Sequence, residues 1–159
     1  MLFDIGSCAN QALAVCINCA QRRRDSAIAA IQGARIAGAR RIVAVDMSEE
    51  KLAVAREFGA TDGVLANGEK PWRAAKKAMG RGADAVIVTV GAAGAYDVAP
   101  RYLAGGGNIV MVGMPHSGAA STYEPLNFAA TGQGMIGSKM GDVVIKRDIP
   151  WMVDLYEQG

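Results

Sequence analysis

Short runs of apolar, largely β-branched residues recur along this chain, and most are followed by an acidic residue or a glycine. The clearest are RIVAVD at 41–46, AVIVTV at 85–90 and NIVMV at 108–112. Segments with helix-like apolar spacing lie between them, as in AIAAIQGARIA at 27–37. Strands that are apolar throughout and alternate with helices are typical of a parallel sheet covered on both faces. We therefore expect a single α/β domain built on a doubly wound parallel sheet.

The remaining segments complete this alternation. The pattern predicts helices over 49–58, 71–79, 94–103 and 149–157, strands over 63–65 and 134–136, a glycine turn at 105–107 and irregular chain over 114–132.

The run ALAVCINC at 12–19 is either a non-standard first strand or a helix that continues through Gln21. We expect the strand, because Val15 and Ile17 alternate and an open sheet needs its central position filled.

Composition narrows the class of protein. Hydrophobic residues make up 51% of the 159 residues and charged residues 20%, which is enough to fill a core and excludes wholesale disorder. Three cysteines do not form a disulfide framework, so we expect a cytoplasmic protein. No apolar run reaches membrane-spanning length, and a net charge of +2 without a binding motif predicts neither membrane nor nucleic-acid partners.

Four motifs, in order, resemble the cofactor domain of the zinc-type medium-chain alcohol dehydrogenases. They lie at 33–61, 85–91, 105–115 and 134–141 and extend the likeness over 27–159. The class III branch, of the glutathione-dependent formaldehyde dehydrogenase type, is the most similar. The resemblance implies a Rossmann-like fold, NAD(H) as cofactor, and an oxidoreductase that moves a hydride between an alcohol and an aldehyde.

The resemblance also implies ten cofactor-binding positions. They are Asp46, Met47, Lys51, Val90, Gly91, Val112, Gly113, Met114, Gly134 and Ile136.

These positions divide along the cofactor. The first three would hold the adenosine end, Val90 and Gly91 would lie beneath the cofactor, and the last five would hold the nicotinamide. A carboxylate at Asp46 accepts two ribose hydroxyl protons and repels a 2′-phosphate, which favours NAD over NADP. Alternatives remain open: Asp46 as a cap of the turn before Ser48, Lys51 as a solvated helix residue, and Val112 and Ile136 as core.

The chain departs from the family where the glycine-rich phosphate loop would lie. Residues 22–27 read RRRDSA, so no glycine brings backbone N–H groups against a pyrophosphate, and Asp25 adds a repelling charge. We therefore expect weak or absent NAD affinity. We assign 1–26 as a segment foreign to the family, with a frameshift as one explanation, and 27–159 as an incomplete dinucleotide-binding domain.

The catalytic domain of the family has no counterpart in this sequence. Cys8, Cys16, Cys19 and the single histidine, His116, do not match its zinc ligands, so we expect no metal site and no catalytic residue. We interpret the chain as a fragment truncated at both ends and inactive by itself. The alternative is a non-enzymatic module that self-associates through an edge strand near 134–136.

Overall fold

Six parallel strands form one sheet in the order β3-β2-β1-β4-β5-β6. The computed structural model describes residues 13–17, 25–139, 141 and 143–158. The strands are β1 (Leu13–Ile17), β2 (Arg41–Asp46), β3 (Asp62–Leu65), β4 (Ala83–Val88), β5 (Leu103–Met111) and β6 (Gly134–Gly137). This is the doubly wound order expected of a Rossmann-like fold. It confirms a strand rather than a helix for residues 13–17 of the apolar run, since β1 pairs with both β2 and β4.

Among the described residues, six α-helices connect and follow the strands. They are α1 (Asp25–Ile36), α2 (Glu49–Glu57), α3 (Pro71–Met79), α4 (Ala93–Val98, continued by a 3₁₀ helix over Ala99–Tyr102), α5 (Pro125–Thr131) and α6 (Ile145–Gln158). Two sequence signals set helix starts: Ser48 accepts a hydrogen bond from Lys51 N, and Pro71 occupies the first turn of α3.

The core lies on both faces of the sheet because alternate strand residues point in opposite directions. In β1, Ala14 and Cys16 pack on the side of α1 and α2. Val15 and Ile17 pack on the opposite side, with α3 and α4. All five residues of β1 are buried, as a central parallel strand requires.

Three predicted segments differ from the structure. The glycines at 105–107 do not separate two elements. They lie within β5, where its register against β4 shifts and Gly106 has a positive φ of 73°. Residues 125–131 form α5, because Pro125 starts a helix and Gly132 ends it in the left-handed conformation. Helix α6 starts four residues before the predicted residue 149.

An ion pair at the amino end of the sheet lies next to the start of β1. Arg81 donates to both carboxylate oxygens of Asp84, at 2.7 and 2.8 Å. The same carboxylate accepts from the backbone N–H of Leu13, 71 residues away, at 2.9 Å. This contact joins the start of β1 to β4.

The carboxy-terminal third is the most exposed part of the described chain. Three apolar side chains of α6, Ile145, Met152 and Tyr156, are 64%, 54% and 87% exposed. None of the helices in the described ranges is long and apolar enough to cross a membrane. Cys8, Cys19 and residues 22–24 of the missing glycine loop lie outside the described residues.

Candidate functional site

Hydrogen bonds tie together the carboxyl ends of the three central strands. The carbonyl of Ile17 accepts from Thr89 N at 3.0 Å and from Thr89 Oγ1 at 3.1 Å. The carbonyl of Val88 accepts from the N–H groups of Val112 and Gly113, at 3.0 and 2.8 Å. In doubly wound sheets ligands bind beyond this edge. The bonds therefore hold the backbone of these strand ends in place beneath such a site. We call this backbone, at residues 88–91 and 112–114, the floor of the site.

Two glycines in this floor sit where a side chain would collide with backbone. A Cβ added to Gly113 would lie 2.3 Å from the carbonyl carbon of Val90, and one added to Gly91 would lie 2.4 Å from the Met114 oxygen. Predicted cofactor residues from two strand ends are thus brought into direct backbone contact. The requirement for glycine here comes from this packing, whatever lies above it.

Tyr96 supports the same floor from below. This α4 side chain is buried, and its hydroxyl donates to the carbonyl oxygen of Gly113. Burial raises the pKa of the Tyr96 phenol, so the group stays protonated and able to donate at neutral pH. Neither Tyr96 nor Thr89 was among the residues predicted from the sequence. In the sequence, the only signal that could have pointed to them was a polar residue lying within an apolar segment or just after one.

Asp46 closes β2 and is only 4% exposed. Its Oδ1 accepts from the backbone N–H of Ser48 at 3.0 Å, which is the turn-capping role considered above. Its Oδ2 is buried and has no hydrogen-bond partner among the described residues. Leaving a buried acceptor unsatisfied costs about 1–3 kcal/mol, so the second oxygen suits an incoming donor.

Asp46 faces a small cleft between α1 and α2. The cleft is lined by Cys16, Ala27, Ile28, Ile31, Ala44, Val45, Asp46, Lys51, Leu52, Val54 and Ala55. The cleft is partly open, and its volume of about 30 Å³ is enough for a group the size of a water molecule. A hydroxyl group therefore fits in this cleft. Lys51, which the sequence predicts to bind the cofactor, is also part of this lining.

Cys16 is a further member of the cleft that sequence reasoning did not assign to it. The thiol is free and buried, and burial raises its pKa to about 12. It is therefore a neutral thiol at physiological pH, whereas a zinc ligand must be a thiolate. Within the described part of the chain, no group of three His, Cys, Asp or Glu side chains could hold a metal ion.

The other predicted cofactor residues are spread along the edge and beyond it. Met47 and Met114 are 58% and 82% exposed, whereas Val112 packs against the core. Ile136 is half exposed and not core, because β6 is the last described strand. Gly134 begins β6 opposite Asn108, so it lies at the far end of that strand from the carboxyl edge.

The cofactor that the resemblance implies can be tested against these residues. The adenosine end fits, since an unpartnered buried carboxylate oxygen adjoins room for a hydroxyl. At the nicotinamide end, Gly91 and Gly113 bring the backbones of two strand ends into close contact. Zinc does not fit any cluster within the described residues.

Comparison with known proteins agrees with this geometry. Residues 27–158 match the family model described as zinc-binding dehydrogenase. An alcohol dehydrogenase of Malus domestica is 33% identical over 132 residues, which are 81% of this chain and 34% of that protein. A probable S-(hydroxymethyl)glutathione dehydrogenase of Schizosaccharomyces pombe is 30% identical over 134 residues, covering 83% of this chain and 35% of that protein.

Solved structures show the same fold. An alcohol dehydrogenase zinc-binding domain protein from Burkholderia ambifaria superimposes with a TM-score of 0.86 at 27% identity, over 93% of this chain and 39% of that one. Benzyl alcohol dehydrogenase from Acinetobacter calcoaceticus gives 0.84 at 26% identity, over 94% and 40%. The chain spans about a third of the length of these curated relatives. It belongs to the zinc-binding dehydrogenase family.

Proposed function

We propose that this chain is the cofactor-binding part of an NAD-dependent alcohol dehydrogenase and that it binds NAD(H) weakly. The observation that carries the proposal is Asp46, a buried carboxylate at the end of β2 with one oxygen unpartnered within the described chain. An acidic residue at this point of a doubly wound fold accepts hydrogen bonds from the adenosine ribose. In our assignment residues 27–159 are the dinucleotide-binding domain of the family, and residues 1–26 are foreign to the family although they supply its strand β1.

Each group of site residues would have a physical task in binding. Asp46 would accept the ribose hydroxyls while Met47, exposed beside it, flanks the adenine. The floor at Val90, Gly91 and Gly113 would keep water from one face of the nicotinamide, with Thr89 and Tyr96 beneath holding its backbone in place. Bound NAD supplies the hydride acceptor for alcohol oxidation.

Charge at Asp46 supports a preference for NAD over NADP. A 2′-phosphate carries about two negative charges and would face the Asp46 carboxylate across a cleft with little water. Lys51 lines the same cleft and would approach the ribose or a phosphate.

The likeness to an S-(hydroxymethyl)glutathione dehydrogenase supports our assignment to the class III branch. The buried free thiol of Cys16 supports a cytoplasmic location.

We propose further that the chain does not oxidise alcohols by itself. Alcohol oxidation in this family uses a zinc ion as Lewis acid. No metal-binding cluster is present among the described residues, and the sequence contains one histidine. The substrate of the whole enzyme would then depend on residues outside this domain.

Binding of NADH is the test of the cofactor role. Saturation-transfer NMR and calorimetry on the 159-residue chain should give ribose signals and a dissociation constant above about 100 µM, near −5.5 kcal/mol. Asp46→Asn should weaken binding about tenfold, because a charged acceptor is lost. Glu57→Gln, an exposed acid at the end of α2, is the matched control and should change nothing. Absence of any NADH signal would refute the proposal.

A second role, self-association, is favoured by the edge strand. Within the described sheet β6 pairs only with β5, and its Met135 and Ile136 are 36% and 50% exposed. An unpaired strand edge with apolar side chains is a template for pairing with another chain. We expect light scattering after size exclusion to show dimers whose fraction rises with protein concentration. A strict monomer at both low and high concentration rules this out.

A further inference from the structure

Four cations surround one tryptophan on the solvent side of α3. Arg73, Lys76 and Lys77 belong to the helix itself. Arg101, in the 3₁₀ helix that follows α4, places its guanidinium carbon 4.7 Å from the centre of the Trp72 ring. We call these five residues the basic face, and none of them lines the cleft between α1 and α2 or belongs to the floor of the site. We propose that the basic face docks an acidic segment of a partner protein.

The cations of the basic face lack acidic partners in the part of the chain that the structure describes. The cations at the two ends of α3 are paired: Lys70 Nζ lies 3.4 Å from Glu69, and Arg81 lies 2.7 Å from Asp84. No ion pair among the described residues includes a member of the basic face. Positive charge is therefore concentrated between these two pairs, where it attracts an anionic partner.

One of these charges works against the stability of the free helix. Arg73 lies in the first turn of α3, where the helix macrodipole disfavours a cation, and no acidic residue lies in that turn. Arg73 also precedes Lys76 and Lys77 by three and four residues, spacings at which like charges destabilise a helix. Nothing within α3 offsets the charge at Arg73, whereas the carboxylates of a docked segment would.

The environment of Trp72 favours an acidic peptide over a nucleic acid. The ring packs partly against the core and has Arg101 over one face, which leaves little ring surface for a base to stack on. A half-buried tryptophan beside an arginine is instead the kind of anchor that dominates protein interfaces.

The spacing of the cations suits an extended segment. Arg73 and Lys77 are four residues apart in α3, which is about 6 Å along the helix axis. Side chains on one face of an extended peptide recur about every 7 Å. A segment with an acid at every second position can therefore reach both cations at once.

Fluorescence of Trp72 measures docking directly. Trp151 is the other tryptophan of the chain, so Trp151→Phe in the full chain leaves Trp72 as the only emitter. The probe is a capped ten-residue peptide of alternating Glu and Ser. We expect a saturable change whose dissociation constant rises at least about tenfold between about 50 and about 500 mM NaCl, because salt screens exposed charges. Hexathymidylate, an anion of the same charge, should bind more weakly.

A matched pair of charge reversals locates the binding surface. Lys77→Glu replaces an exposed lysine of the basic face and should weaken peptide binding about fivefold. Lys146→Glu replaces an exposed lysine of α6 and should change the dissociation constant by less than about twofold.

Arg73→Glu separates docking from folding. It should weaken peptide binding about fivefold and yet raise the melting temperature by about 2 °C, since a glutamate suits the first helical turn and attracts Lys77. A residue with only a structural role would not lower binding while it raises stability.

Three outcomes overturn the proposal. One is the absence of any change in Trp72 fluorescence or backbone amide shifts at about 1 mM peptide in low salt. Another is an equal loss of binding with Lys77→Glu and Lys146→Glu, which would mean attraction by net charge alone. Tighter binding of hexathymidylate than of the peptide would assign the basic face to nucleic acid instead. Titration with NADH is a separate measurement, so the docking surface and the cofactor role stand or fall independently.

Discussion

Replacing Gly113 with alanine tests the packing of the two strand ends that form the floor of the site. The new Cβ would lie 2.3, 2.4 and 2.6 Å from the carbonyl carbon, oxygen and nitrogen of Val90. Carbon atoms prefer separations of about 3.5–4.0 Å, so the two backbones must move apart by roughly 1 Å. The movement would disturb the hydrogen bonds from Val112 and Gly113 to Val88.

The size of the effect follows from these contacts. Overpacking costs about 1–3 kcal/mol, and we expect about 3 because the colliding atoms are backbone and cannot rotate away. For a chain of this length 1 kcal/mol shifts the melting temperature by about 2–4 °C, so Gly113→Ala should melt about 6–12 °C lower. Thermal unfolding followed by circular dichroism, supported by urea denaturation, measures this shift.

Gly94 is the matched control, since it lies in α4 and a Cβ added there would meet nothing within 4 Å. Alanine there should raise the free energy of unfolding by about 0.5–1 kcal/mol, because glycine is a poor helix former. The two substitutions are chemically identical and should act in opposite directions. If Gly113→Ala melts within about 1 °C of the unaltered protein, close backbone contact does not require glycine at this position.

Two further predictions concern carboxylates outside the site. Asp84→Ala should lower the free energy of unfolding in urea by about 1–3 kcal/mol, because the buried N–H of Leu13 loses its acceptor; an unchanged urea midpoint would contradict this. Hydrogen bonds from Ser121 Oγ and Thr122 N lower the pKa of Asp97 from its ordinary value of 3.8. A lowered folded pKa means that this stabilisation is complete above pH 3.8 and is lost as pH falls through the folded value. The Thr122 amide shift should therefore titrate below pH 3.8, and Asp97→Asn should abolish that titration.

Local patterns predicted most of the elements correctly. The run RIVAVD became β2 with the predicted bounds, and α3 begins at Pro71 and ends at Met79 as expected. Such segments carry their own signals, namely β-branched runs, caps and glycine stops. The glycines at 105–107 turn the chain within β5 and do not separate two elements, because β5 pairs with β4 on both sides of them with a shift in register.

Site residues were predictable only as positions at strand ends. Asp46 stands out as an acid that closes an apolar run, but the unpartnered state of its Oδ2 depends on α1 and α2 closing around it. Ile136 reads as a core residue in sequence, yet β6 is the last strand described and leaves it half exposed. How far a residue is buried depends on neighbours that are distant from it in the sequence.

The sequence by itself determined the class of fold, because alternating apolar runs and their closing residues specify parallel strands and crossovers. Four motifs in order carried the resemblance to the family. It also showed that residues 22–27 lack the glycines of a phosphate loop. The tertiary structure alone decided why Gly113 must be glycine, that Tyr96 holds its carbonyl, and that the acceptor at Asp46 adjoins room for a hydroxyl. These facts arise where β1, β2, β4 and β5 end side by side, and only folding brings those ends together.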